Sequence, residues 1–278
     1  HRQFRIVTKL TVGFIWWETR MEKEETLLRK RFVELSNTAY QRGITTYSDF
    51  LNLNELNILH TTPKDLFPVP YRTFGGYIQS ERQMAAFLPD AFSLYMEEKE
   101  IHQMYPMQIL KITPVHAKFA EELGHRDYLG ALLNLGIERT KIGDILVQEK
   151  TAYVFVHESM ADFLVKELVK VRHTVVLPSI EDSADFVYDP KFEVIRGTVS
   201  SVRLDALLSL AFQSSRSKLT PLIECGRVYV NGKLITSNAY CVKDNDIISV
   251  RGMGRFQFKE IVSQTKKGRY CIELYKYV

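Results

Sequence analysis

The chain has 278 residues, enough for two or three compact domains. Its apolar content, 45%, is ordinary for a globular protein, and no run reaches the ~18–20 apolar residues that a membrane-spanning helix needs. The net charge is only +4, but residues 196–278 hold 14 lysines and arginines against 6 acids, and residues 1–195 hold 23 against 27. That asymmetry points to a C-terminal module that binds a polyanion, although a solvated basic surface has the same signature. Cys225, Cys241 and Cys271 form no CxxC pair and have no accompanying His cluster. This argues against a disulfide framework or a zinc site and suits free thiols in a reducing cytoplasm.

In chain order, Arg2, Arg5 and Lys9 precede a short apolar run from Leu10 to Trp17, which outlines a signal peptide. Thr11 and Gly13 interrupt the run, Glu18 and Arg20 follow it, and no small-residue cleavage site is visible. Met21 then opens an amphipathic stretch, so residues 1–20 are read as an upstream extension or mis-assigned start with no part in the fold. Residues 21–65 form a helical N-terminal domain. Leu27, Leu28, Phe32 and Leu35 follow the helical period, Gly43 breaks it, and Ser48 is placed to cap a second helix through Leu51, Leu53, Leu56, Ile58 and Leu59. Pro63, Pro68 and Pro70 mark the boundary.

Residues 66–180 alternate between strand and helix patterns. The expected strands are 105–112, 143–147, 152–156 and 174–177, and the expected helices are 118–123, 128–135 (closed by Gly136) and 161–171. This order fits an α+β sandwich of the ferredoxin-like kind. The acidic stretch 181–190 is read as a linker that continues through a lead-in strand beginning at Phe192, with the boundary at 195.

The C-terminal module begins at residue 196. Leu204, Leu207, Leu208 and Ala211 define one apolar helix face. Ser215 suits the N-cap of a second helix carrying Leu219, Leu222 and Ile223, and Gly226 suits its C-terminal turn. Pro221 fits that helix only if the regular turn starts near Lys218, because an interior proline costs ~3 kcal/mol. A strand over 227–230, the type I′ turn signal Asn231-Gly232, a return strand over 233–235 and a further strand at 247–250 complete the pattern. Arg203, Arg216, Lys218, Arg227 and Lys233 fall at element starts. Arg216 and Lys218 lie beside a helix N-terminus whose free N–H groups favour phosphate, and Ser215 and Ser217 add hydroxyls.

The residues Arg203-Leu204-Asp205, Ser215-Arg216-Ser217, Leu222-Ile223, Gly226, Val228, Val230-Asn231-Gly232 and Asp246-Ile247-Ile248 with Val250 resemble the S4 RNA-binding domain over about 60 residues in order and spacing. The resemblance implies that the two helices and the hairpin grip the phosphates of folded RNA through Arg203, Ser215, Arg216, Ser217, Lys218, Arg227, Asn231 and Lys233. Ala206 stands where related small ribosome-binding S4 proteins often carry lysine, which puts one phosphate contact in doubt. Further upstream, Phe74-Gly75-Gly76-Tyr77, Glu81-Arg82, Phe87-Leu88-Pro89, His125-Arg126-Asp127, Leu129-Gly130 and Gly143-Asp144 resemble the YlmH family of bacterial proteins. That family joins a helical N-terminus, a central domain assigned to RNA binding and a C-terminal S4 domain. It implies partners in the large ribosomal subunit, rRNA and peptidyl-tRNA during ribosome-associated quality control; the S4 domain is read over 196–260, with a basic extension over 261–278. The expected protein is a cytoplasmic monomer with no enzymatic activity, cofactor, metal, small-molecule substrate or membrane attachment.

Rival motifs are weaker. His125-Arg126-Asp127 spells a kinase triplet, but neither a DFG triplet nor a glycine-rich loop accompanies it, so Asp127 is read as the cap of the 128–135 helix. Gly75-Gly76 is read as a turn or bulge. Arg72, Tyr77 and Arg82 are candidates for RNA contact in the central domain, with the aromatics equally suited to the core. Arg203-Leu204-Asp205 also occurs in pseudouridine synthases, but too little chain follows it for their catalytic domain, and Asp205 is read as a first-turn acid favoured by the helix dipole. Two alternatives stay open: an RNA-modifying enzyme with its site in the central domain, and a scaffold for cell division or membrane-protein assembly.

Overall fold

A computed structural model describes residues 23–89, 97–182, 186, 188 and 190–277. The expectation for residues 1–20 falls outside that range, and so does part of the 181–195 linker. The chain divides into two compact units on either side of residues 183 and 184.

The first unit opens with helix α1 over 23–42. Its buried stripe is Phe32, Leu35 and Ala39, with Leu28 partly buried, whereas Leu27 is exposed on the adjoining face. The stripe packs on α2 (Leu53–Thr61) and on a small antiparallel sheet of β1 (Thr46–Tyr47), β2 (Tyr71–Phe74) and β3 (Met84–Phe87), in the order β1-β3-β2. The cap of α2 is Asn52 rather than Ser48. The Asn52 side chain accepts from the N–H groups of Asn54 and Glu55, and Glu55 reaches back to the Asn52 N–H at 2.7 Å. Ser48 is buried beside β1 and accepts from the Ala85 N–H at 2.8 Å.

A short helix α3 (Glu98–Gln103) leads to β4 (Met107–Pro114), α4 (His125–Asn134), β5 (Ile142–Gln148), β6 (Thr151–His157), α5 (Glu158–Glu167), β7 (Lys170–Val171) and β8 (Thr174–Glu181). The sheet order β5-β6-β4-β8-β7 is antiparallel throughout. This is the βαββαβ arrangement of a ferredoxin-like domain with one added hairpin strand. Alternation along the central strands turns Leu110, Ile112, Val154 and Val156 to the side where Tyr128 and Leu132 of α4 and Ala161 and Leu164 of α5 cover them.

Three local expectations in this unit change. Residues 118–123 form no α-helix; a single 3-10 turn at Ala117–Phe119 gives way to irregular chain. The 161–171 pattern divides into α5, which starts at Glu158, and the edge strand β7. Asp127 is the third residue of α4, whose cap is Gly124, and its carboxylate accepts from the Gly124 N–H at 2.9 Å. Gly136 closes α4 with φ +83° and its N–H on the Leu133 carbonyl, as its position predicts.

The second unit is a six-stranded antiparallel sheet, β11-β10-β12-β13-β14-β9. Its strands are β9 (Phe192–Val199), β10 (Val228–Val230), β11 (Lys233–Leu234), β12 (Ile247–Val250), β13 (Gly254–Gln264) and β14 (Tyr270–Tyr277). Helices α6 (Leu204–Ala211) and α7 (Arg216–Glu224) pack on the sheet. They bury Leu204, Leu207, Leu208, Ala211, Leu219 and Ile223 against strand residues such as Val228, Ile248, Phe256 and Leu274. The Asn231-Gly232 turn has φ +48° and +76°, the type I′ geometry its sequence predicts. Helix α7 starts at Arg216, so Pro221 sits in the interior after all.

Candidate nucleic-acid interface

The candidate interface is organised at the first turn of α6. Arg203 is the N-cap residue of α6, and its Nε donates to Asp205 Oδ1 at 3.1 Å. The other oxygen, Oδ2, lies 3.6 Å from Nη1 of Arg216 at the start of α7. The Asp205 side chain is 11% exposed, whereas those of Arg203 and Arg216 are 41% and 50% exposed. One buried carboxylate thus orients two guanidiniums whose outer edges remain in solvent. Asp205 also sits in the first turn of its helix, where the dipole favours a negative charge. The sequence suggested the dipole role but not the clamp, because Arg216 is brought alongside only by the packing of α7 on α6.

Ser215, Arg216, Ser217 and Lys218 are all exposed at the N-terminus of α7. Ser215 is the N-cap residue, but its hydroxyl makes no capping bond; it pairs instead with the Ser217 hydroxyl at 3.0 Å. The first-turn N–H groups therefore lack a side-chain acceptor, the condition under which a helix N-terminus takes an anion. At the other end of α7, Gly226 takes φ +69°, its N–H donates to the Ile223 carbonyl, and the Arg227 N–H donates to the Leu222 carbonyl. This Schellman closure fixes the position of the exposed Arg227.

Asn231 and Lys233 flank the hairpin turn, and both are exposed. The Asn231 side chain braces the turn. Its Nδ2 donates to Asp246 Oδ1 at 2.8 Å, and its Oδ1 accepts from the Ile247 N–H at 2.9 Å. Asp246 in turn accepts from the Lys243 N–H at 2.8 Å. The conspicuous asparagine thus locks the turn to the β12 entry, and Lys233 is the residue of the pair that presents charge. Arg251 is a cation the sequence reading missed; its guanidinium lies 5.2 Å from the centre of the Tyr229 ring.

In the central domain, two of the three RNA-contact candidates have internal partners. Tyr77 is buried, stacks on Phe155 with ring centres 5.4 Å apart, and donates its hydroxyl to Asp144 Oδ2 at 2.7 Å. Arg82 donates to the carbonyls of Ile142, Phe50 and Arg139 at 2.8, 3.0 and 3.1 Å. Burial pulls its guanidinium pKa down, and Glu55 and Asp144 oppose that shift. Arg72 alone stays exposed. Gly76, at φ +99°, lies so close over Phe155 that an added Cβ would meet the ring Cε1 at 2.1 Å. The aromatic on central strand β6 is therefore covered by the protein's own 75–77 segment. The Asp127 carboxylate is engaged at both oxygens, by the Gly124 N–H and, at 3.5 Å, by Arg172.

Among the described residues, no group of three or more His, Cys, Asp or Glu side chains could hold a metal ion, and no helix is long and apolar enough to cross a membrane. The three cysteines are unpaired thiols, exposed at Cys225 and Cys241.

Two short helices lie over an NG hairpin with arginines clamped at the helix starts, and the S4 domain model matches this segment, residues 202–248. A second model, described as "Putative RNA-binding domain in YlmH", matches residues 101–183. With the two models in this order, the resemblance to the YlmH family read from the motifs is borne out. The chain is 29% identical over 251 residues to the "Ribosome-associated protein quality control protein P2" of Bacillus subtilis (strain 168), covering 90% of this chain and 94% of that protein. Among solved structures it is similar to the "Cell division protein ylmH from Streptococcus pneumoniae", with a TM-score of 0.46 and 21% identity over 59% of this chain and 95% of that one.

Proposed function

We propose that this protein docks on structured ribosomal RNA and tRNA, on the large ribosomal subunit holding peptidyl-tRNA, and acts there in ribosome-associated quality control. It works in the cytoplasm as a monomer and as a binding protein without chemistry of its own. The observation that carries this reading is the cation face of α6 and α7, where Arg203 and Arg216 are held half-exposed by Asp205 beside the uncapped start of α7. Half-exposed guanidiniums beside a helix N-terminus that no side chain caps match the geometry of phosphate oxygens. The name of the Bacillus relative and its near full-length coverage support the ribosomal setting. Recognition would rest on RNA shape, because the A-form major groove is too narrow to be read by side chains. Asp127, the acid that the kinase-like triplet singles out, serves as a helix-cap partner and ion-pair partner, which speaks against a kinase-like role for it.

Equilibrium binding of the full chain to purified large-subunit RNA over a salt series tests the proposal. Arg216→Ala is expected to weaken binding by ~1–3 kcal/mol and to make the log–log salt slope shallower by about 1. Wild-type affinity and slope in that variant would remove this face from the interface.

A further inference from the structure

We infer that the tip of the β13–β14 hairpin, residues 265–269, is a second RNA-phosphate contact outside the S4 face. The inference rests on the RNA-docking function proposed above. Strand β13 pairs with β12 only as far as Gln257, then runs on to Gln264 beside β14, while β9 pairs with β14 up to Val199 opposite Tyr270. The sheet thus carries a three-stranded arm that reaches past Ile247, the first residue of β12. The S4 match stops at residue 248, so the arm lies outside the matched residues.

At its end the chain reads Thr265-Lys266-Lys267-Gly268-Arg269. The Gly268 N–H donates to the Thr265 carbonyl at 2.9 Å, the Thr265 N–H donates to the Arg269 carbonyl at 2.7 Å, and the Thr265 hydroxyl oxygen accepts from the Arg269 N–H at 3.0 Å. Gly268 supplies the positive φ, +75°, that closes the loop. These bonds hold the loop in one shape and leave Lys266 and Lys267 exposed at its two corner positions. Arg269 donates to the Thr198 carbonyl at 3.0 Å, which fixes the guanidinium without neutralising it. Residues 261–272 contain no acid, and none of the three cations has a described carboxylate partner.

A rigid tip with three uncompensated cations and no aromatic or long apolar anchor suits a polyanion better than a protein hot spot. The same unit presents the S4 cations, and RNA phosphate is the ligand that both would share.

The test compares wild type, Arg216→Ala and the double variant Lys266→Ala/Lys267→Ala, all as full chains, binding a labelled RNA stem-loop over a salt series. The double variant is expected to keep the wild-type melting temperature, to bind roughly tenfold more weakly at low salt, and to have a slope shallower by about 1–2. The charge-preserving Lys266→Arg/Lys267→Arg pair is expected to bind as wild type. If Arg216→Ala weakens binding and the lysine double variant does not, the hairpin contact is overturned while the S4 reading stands. If the wild-type chain binds no RNA, the functional reading fails and this inference with it. Unchanged RNA binding together with lost binding to phosphatidylserine vesicles would overturn the inference in favour of a lipid headgroup surface.

Discussion

At Asp205 one carboxylate meets two guanidiniums, and the balance of burial decides what each group does. The carboxylate is nearly removed from water while both arginines keep an edge in solvent, so the acid positions and the bases present. Substituting Asp205 removes the partner of both cations and leaves them adjacent. Asp205→Ala is therefore expected to destabilise the C-terminal unit by ~1–3 kcal/mol, the range for removing a buried hydrogen-bonding partner of charged groups. Urea denaturation followed by near-ultraviolet signals from that unit measures this; an unchanged midpoint would mean the clamp holds nothing. Asn231 illustrates the opposite assignment. Its identity was legible as a turn residue, and an amide at a turn suggests an RNA contact, yet its side chain is bonded at both ends to Asp246 and the Ile247 N–H.

At the scale of elements, local chemistry was legible wherever it governs the backbone. The positive-φ pair Asn231-Gly232, the closing glycines Gly136 and Gly226, and the apolar spacing of α6 all have the geometry their sequence implies. Misreadings fall where distant partners decide. Residues 118–123 are rich in helix formers, but Lys150 donates to the Ala117 and Ala120 carbonyls and the Glu121 N–H donates to Thr174, so tertiary bonds hold the stretch open. Residues 170 and 171 continue an amphipathic helix in sequence, yet pair with β8 across the positive-φ Arg172. Pro221 lies inside α7 because packing of Leu219 and Ile223 outweighs the lost backbone bond. The approach of Gly76 to Phe155 was hidden for the same reason: sequence marks a glycine, not the ring 79 positions on. Gly76→Ala must strain both φ and the Phe155 ring, and is expected to cost about 2–4 kcal/mol of stability in the first unit. Thermal unfolding with calorimetry checks this, and a wild-type melting temperature would show that the segment does not bear on Phe155.

For the whole molecule, each unit has its own core, and the charge is divided unequally between the halves. The basic side of that division carries the S4 face and the hairpin arm. Binding driven by phosphate neutralisation falls steeply with salt, because each contact releases condensed counterions. The docking on the ribosome proposed here should therefore be strong at low ionic strength and reversible without unfolding. Sedimentation of cell lysate through a sucrose gradient, with this protein followed across the fractions at two salt concentrations and after nuclease treatment, tests that claim most directly. The account predicts co-migration with the large ribosomal subunit at low salt, and release to the top of the gradient at high salt or after nuclease. Migration at the top under every condition would contradict it.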